Sequence, residues 1–228
     1  MTSSNHLIVN KSDPLIGKIQ IPGDKSISHR SIILGSLSEG QLKVSNFLTS
    51  ADCIATVNAM RQLGADITMD GNQVLIRGNG LYGLKKPSDV IDAGNSGTLI
   101  RLLSGILAAQ DFNSSITGDE SLKKRPMARV IKPLVSCGAS IESDDCKAPL
   151  KIIGSKSLSS ISYNQDIASA QVKSCLMMSA LYIEEESTFY EKTPTRDHTE
   201  NLLEHLNYKI YRNNNSSSFK GGQKLIAK

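Results

Sequence analysis

Apolar positions recur along this chain in three sets that align with one another. The segments AMRQLGADI (59–67), PLVSCGASI (133–141) and LLEHLNYKI (202–210) put Met60, Leu134 and Leu203 at one place and Ile67, Ile141 and Ile210 at another. Gly64, Gly138 and Asn207 share a third. Upstream, KSISHRSIILGSL (25–37), NSGTLIRLLSGIL (95–107) and SAQVKSCLMMSAL (169–181) bring Ile33, Leu103 and Met177 into register, and likewise Leu37, Leu107 and Leu181. Two independent landmarks recurring about every 70 residues mark a triplicated module.

Each module reads the same way. A small polar loop opens a helix with apolar residues at helical spacing: Ile33, Leu34 and Leu37 in the first, Leu99, Leu103 and Ile106 in the second. A strand follows, such as Leu42–Val44 or Ser115–Thr117. A second helix ends at the shared Gly or Asn, residues that tolerate positive φ just past a helix C-terminus. Two short strands close the unit: Asp66–Met69 and Gln73–Arg77 meet at Asp70-Gly71-Asn72, a hairpin signal. In the third copy the polar run Asn213–Ser218 takes the hairpin position. The fold class expected is α/β: three βαβαββ repeats, at about 21–80, 90–155 and 165–228, packed with quasi-threefold symmetry around shared helix faces. All the helices would then begin at one end of the domain, where free N–H groups attract anions.

Composition narrows the class. Of 228 residues, 39% are hydrophobic and 21% charged, enough to bury a core, and no apolar run approaches the roughly 18 residues of a membrane span. The net charge of +4 is too small to argue for nucleic acid but suits small anionic ligands. No Trp and 4% aromatics argue against stacking platforms for bases. The first ten residues show no secretory signal. Cys53, Cys137, Cys146 and Cys175, dispersed without a C-x-x-C pair, suit free thiols in a cytoplasmic protein.

The modest charge is concentrated at the helix starts. Lys25, His29 and Arg30 lie in GDKSISHR, where cations oppose the helix dipole, and a bound anion would reverse that penalty. A solvated basic face is the simpler alternative. The second start, AGNSGT (93–98), lets a ligand approach the backbone closely, although an ordinary tight turn would read the same. The third, ASAQ (168–171), offers a hydroxyl and an amide or merely an N-cap. Lys124-Arg125-Pro126 and Pro194-Thr195-Arg196-Asp197 repeat the anomaly at the second helices. The same local rule broken in corresponding places points to a shared ligand set with more than one anionic group.

These blocks carry a family resemblance. Gly23–Arg30, Gly94–Thr98 with Arg101, Lys124–Pro126, Ser169–Gln171 and Arg196–Glu200 resemble 5-enolpyruvylshikimate-3-phosphate synthases, in family order over essentially the whole chain. The resemblance implies the inside-out α/β barrel domain of enolpyruvyl transferases. It also implies transfer of the enolpyruvyl group of phosphoenolpyruvate to the 5-hydroxyl of shikimate 3-phosphate, releasing phosphate, with no metal or organic cofactor. By matching positions, Lys25 would lie between the substrates as the catalytic residue, and Ser26 and Arg30 would hold the shikimate hydroxyls and carboxylate. Ser169, the Ala170 backbone and Arg196 would take the 3-phosphate. Asn95, Gly97 and Arg125 would line the phosphoenolpyruvate side, and Gln171 would reach both ligands. Arg101 would be a structural support, and Asp52 either a family acid near the cleft or a helix N-cap. Asp197, His198 and Glu200 fit an acidic first helical turn better than a metal site.

Ser96 stands where the family often has Ala, and T-P-T-R (193–196) where S-P-S-R is usual; both keep size or hydroxyl character. The unsubstituted Gly97 implies a site open to the inhibitor glyphosate. The family enzyme is about twice this length, and its second half supplies the acid–base carboxylates. The expectation is therefore an N-terminal, substrate-binding half, with residues 1–20 a strand segment belonging to the second domain and 21–228 the shikimate-phosphate-binding domain. Its partners would be the two substrates and the C-terminal half, with no nucleic acid and no membrane. A non-catalytic phosphate-binding module would use the same cluster without chemistry. The related UDP-N-acetylglucosamine enolpyruvyl transferase lacks the K-S-x-S-x-R block and has a catalytic cysteine that none of the four here matches convincingly.

Overall fold

The computed structural model describes residues 7–14, 16–165 and 167–227. The first unit comprises α1 (Lys25–Ser36), β1 (Glu39–Val44), α2 (Ala51–Gln62), β2 (Asp66–Asp70) and β3 (Gln73–Asn79). The second comprises β4 (Ile91–Asp92), α3 (Gly97–Ala108), β5 (Ser114–Thr117), a short α4 (Glu120–Lys123), α5 (Ala128–Ser136), β6 (Ser140–Asp144) and β7 (Lys147–Ile153). The third comprises β8 (Ser162–Gln165), α6 (Ala170–Ala180), β9 (Glu186–Glu191), α7 (His198–His205), β10 (Tyr211–Asn213) and β11 (Ser216–Lys220).

Three sheets result, and they share one plan. In the order β4-β5-β7-β6 the first pair is parallel and the rest antiparallel; β8-β9-β11-β10 repeats this. The first sheet, β1-β3-β2, has only the antiparallel part. Its missing parallel strand comes from the far end of the chain: Glu39 pairs in parallel with Ile226. The Glu39 N–H donates to Leu225 O at 2.7 Å and the Ala227 N–H to Glu39 O at 2.9 Å. The expected βαβαββ plan is thus corrected in the first unit, which among the described residues has no leading strand of its own. Among the described residues before α1 there is no helix or strand, and Leu7, Ile8, Val9, Ile16, Ile19 and Ile21 are exposed.

The three unit-opening helices form the centre. Nearly every residue of α3 is buried, as is most of α1 and α6, and the aligned Ile33, Leu103, Met177, Leu37, Leu107 and Leu181 are all fully buried. Gly105 lets α3 lie directly on α6: a Cβ there would stand 2.1 Å from the Cys175 carbonyl oxygen. The second helices end as their sequences predict, with Gly64 at φ +91, Gly138 at +93 and Asn207 at +59. Helices packed side by side on a common centre present their first turns together.

Candidate functional site

Each central helix begins at a polar cap. The Asp24 carboxylate accepts the Ile27 N–H at 2.7 Å, the Ser96 hydroxyl the Leu99 N–H at 3.1 Å, and the Ser169 hydroxyl the Val172 N–H at 3.4 Å. A cap satisfies only part of the free N–H set, so each start keeps donors for a ligand. Side chains then tie the starts together. Gln171 donates from Nε2 to Thr98 Oγ1 at 3.0 Å and accepts Arg101 Nη1 at 3.0 Å, joining α3 to α6. Arg196, just before α7, donates to Ser26 Oγ at 3.4 Å and so joins α7 to α1.

Three stations follow along this end. Lys25, half-exposed, forms an ion pair with Asp52. Asp52 lies in the first turn of α2, whose N-cap residue is Ser50, so Asp52 is the partner of Lys25 rather than a cap. Next is a cleft of about 520 Å³ lined by Ala168, Ser169, Ala170, Gln171, Thr195 and Arg196. The third station surrounds Gly97. Arg125 donates from Nη2 to Asn95 Oδ1, and Asn95 Nδ2 donates to Asp119 Oδ2 at 2.7 Å. A Cβ on Gly97 would stand 2.9 Å from Arg101 Nη1 and 3.2 Å from Arg125 Nη1, so two guanidiniums close over the bare backbone.

The field here is positive and only partly compensated. Burial lowers the Arg101 pKa, and the neighbouring Arg125 and Arg129 guanidiniums lower it further. Arg30 is pushed down to about 10, first by burial, with Glu200 opposing and Arg196 adding to the shift. His29 is pushed down to about 4, chiefly by burial and then by Lys25, with Asp52 opposing. Desolvation comes first at all three groups, and repulsion between Arg30 and Arg196 and among Arg101, Arg125 and Arg129 adds to it, so an anion placed between them would be favoured. Phosphate or carboxylate groups therefore match the chemistry of this end.

The structure gathers Lys25, Ser26, Arg30, Asn95, Gly97, Arg125, Ser169, Ala170, Gln171 and Arg196 at this end, with two corrections to their local setting. Arg30 is not part of a solvated basic face: it is 3% exposed, in the second turn of α1. Its Nε donates to Thr199 Oγ1 at 2.8 Å, Nη2 to Ser174 Oγ at 2.7 Å and Nη1 to Ser26 O at 3.0 Å. Three of its five N–H groups thus join α1, α6 and α7. Arg125 does not open a helix but lies between α4 and α5.

Arg101 also donates to Gly97 O at 3.2 Å, a brace across the start of α3. Asp197 pairs with Arg212 at 2.5 Å, whereas Glu200 is buried against Lys173. Among the described residues no group of three or more His, Cys, Asp or Glu side chains gathers as a metal site. No site role was read from the sequence for Lys173, Ser174 or Glu191, which bond respectively to Glu191, to Arg30 and to Thr195. The available signal was a lysine inside the apolar run QVKSCLMM.

The family model for EPSP synthase (3-phosphoshikimate 1-carboxyvinyltransferase) matches residues 9–228. The chain belongs to the EPSP synthase family. A 3-phosphoshikimate 1-carboxyvinyltransferase of Ruthia magnifica is 52% identical over 220 residues, covering 96% of this chain and 51% of that protein. One from Coxiella burnetii is 49% identical over 218 residues, covering 95% and 50%. Among solved structures, EPSP synthase from Acinetobacter baumannii superposes with a TM-score of 0.89 at 45% identity, covering 92% of this chain and 48% of that one. The chain spans about half the length of the curated relatives it matches. Within the EPSP synthase family, the triplicated α/β module described above is the fold shared with the Acinetobacter structure.

Proposed function

We propose that this chain is the shikimate 3-phosphate-binding part of an enolpyruvyl transferase that moves the enolpyruvyl group of phosphoenolpyruvate onto the 5-hydroxyl of that substrate, releasing phosphate. The observation that carries the reading is the meeting of Arg196 with the capped start of α6 around one cleft. A guanidinium opposite free helix N–H groups is a phosphate site. In this reading Ser169, the Ala170 N–H, Gln171 and Arg196 hold the 3-phosphate, and Ser26 and Arg30 meet the ring substituents. Asn95, Gly97, Arg125 and Gln171 hold phosphoenolpyruvate against the positive field at Gly97. Lys25 sits between the two, oriented by Asp52.

The chemistry protonates the methylene carbon of phosphoenolpyruvate as the hydroxyl attacks the adjacent carbon, and it needs positioned proton carriers. The further carriers are assigned to the part of the relatives' length that this chain does not span, so this chain alone binds substrate but turns over little. The exposed apolar residues between Leu7 and Ile21 are assigned to packing against that part. The four free thiols suit a cytoplasmic enzyme.

Titration with shikimate 3-phosphate, followed by amide shifts, tests the site. Shifts centred on Lys25, Ser169 and Arg196, with unphosphorylated shikimate binding far more weakly, are expected. Arg196→Ala should lose about 1.5–3 kcal/mol of affinity, the worth of charge-assisted hydrogen bonds. No response to shikimate 3-phosphate, or none lost in Arg196→Ala, overturns the assignment. Robust enolpyruvyl transfer by the 228-residue protein alone would overturn the division of labour.

A further inference from the structure

We propose that Lys173 is a positioning residue: a buried strut that fixes the two walls of the phosphate cleft and keeps the buried Glu200 carboxylate from capturing Arg30. The proposal rests on the functional reading above and adds to it a residue that makes no contact with substrate. Lys173 is 1% exposed, in the first turns of α6, directly after the Ser169–Gln171 wall. Its Nζ lies 2.7 Å from Glu191 Oε2 and 2.5 Å from Glu200 Oε1.

Both partners lead to the opposite wall. Glu191 ends β9, and its other oxygen accepts the Thr195 N–H at 3.1 Å and the Thr195 hydroxyl. Thr195 and Arg196 are the residues that face Ser169–Gln171 across the cleft. Glu200 is in the first turn of α7, immediately after Arg196 and Asp197. One ammonium thus connects α6 to the 192–197 loop through Glu191 and to α7 through Glu200. This connection adds to the Arg30, Ser174 and Thr199 bonds between α6 and α7 a tie that reaches the 192–197 loop, and the two walls come from segments separated in the chain by all of β9.

The charges explain why a lysine is needed and an apolar residue would not serve. Glu200 Oε2 is buried and has no hydrogen-bond partner, so Lys173 carries most of that carboxylate's compensation. Glu200 acts on the Arg30 guanidinium, whose own field also includes Arg196, and on Arg212. Without the ammonium, the buried Glu200 carboxylate would be left uncompensated in the field of Arg30, which is assigned to the substrate. A guanidinium drawn to an internal carboxylate is lost to a substrate anion. A buried ion pair is weak evidence for stability but sound evidence for geometry where, as here, its members fix a cleft.

The test compares the wild type, Lys173→Met, Lys173→Met/Glu200→Gln, and Ile76→Val as a destabilised core variant remote from the cleft. Two quantities are read: the Kd for shikimate 3-phosphate and hydrogen-exchange protection of the Thr195 amide. Lys173→Met should weaken binding by about tenfold or more and lose Thr195 protection. The double variant, which carries one buried charge fewer and so folds where the single one fails, should recover a substantial part of the affinity. Ile76→Val should lower the thermal midpoint and leave both quantities alone. Wild-type affinity and wild-type Thr195 protection in Lys173→Met would overturn the proposal, as would a double variant no better than the single one. If the wild type itself ignores shikimate 3-phosphate, the functional reading fails. Thr195 protection then still decides whether Lys173 holds the loop.

Discussion

Acidification should destabilise this protein through His29 before most of its carboxylates respond. His29 is fully buried, with Nδ1 2.6 Å from Thr56 Oγ1 and Nε2 without a hydrogen-bond partner. Thr56 Oγ1 also reaches Asp52 O at 3.3 Å, and since a carbonyl can only accept, that hydroxyl donates there and accepts from the ring. The ring therefore carries a proton on Nδ1, and its buried, unpartnered Nε2 holds none at neutral pH. Its pKa falls from 6.5 to about 4 on folding, because burial and the nearby Lys25 oppose a second positive charge. The unfolded chain takes up the proton first, so this contribution is fully present above about pH 6.5. It is lost as the pH falls toward 4, to a total of about 3 kcal/mol. The assay is urea unfolding of the wild type and of His29→Gln at pH 7.5 and 4.5. Carboxylates titrating at the low end affect both proteins, so the difference between their slopes isolates the histidine. The wild type should lose about 2–3 kcal/mol more than His29→Gln over this interval. Parallel losses would refute the argument, since they would mean that the imidazole gains its proton as easily folded as unfolded.

Other substitutions probe the packing of the site. Gly97→Ala puts a methyl group 2.9 Å from Arg101 Nη1 and 3.2 Å from Arg125 Nη1, so both must retreat. With saturating shikimate 3-phosphate, calorimetry should show phosphoenolpyruvate affinity weakened by about tenfold or more, and unchanged affinity would remove Gly97 from that side of the site. Gly105→Ala should cost about 2 kcal/mol or more, because its Cβ would meet the Cys175 carbonyl oxygen at 2.1 Å; an unchanged thermal midpoint would show that α3 and α6 are not in direct contact. Toward a thiol reagent in native buffer, half-buried Cys146 should react first. Cys175, whose pKa burial pushes up to about 12, should react only on unfolding, and equal rates at the two sites would contradict its burial.

Much of the fold was legible because its signals are local. A helix that must bury one side repeats apolar residues at helical spacing, and the aligned Ile33, Leu103 and Met177 are indeed fully buried. A helix C-terminus needs a residue that tolerates positive φ, and Gly64, Gly138 and Asn207 supply it. The polar run Asn213–Ser218 is a hairpin, with Asn213 paired to Ser216. The cations near the helix starts were visible as a broken rule, because the dipole penalty depends only on position along the helix.

What the chain could not reveal locally depends on how the third unit packs against the first. The strand that completes the first sheet comes from Leu225–Ala227, since only a closed ring of units brings the far end of the chain beside Glu39. Arg30 reads as a surface cation in its own helix, yet it is buried because Ser174 and Thr199 arrive from α6 and α7 to accept its N–H groups. Lys173 reads as an interruption in an apolar helix until Glu191 and Glu200 are placed on either side of it. Spacing and residue type within a few turns were enough to mark the repeated module, its helix C-termini and the family. Which charges face the cleft and which hold it in shape is a matter of packing between units. That choice turns on desolvation and on partners drawn from distant parts of the chain.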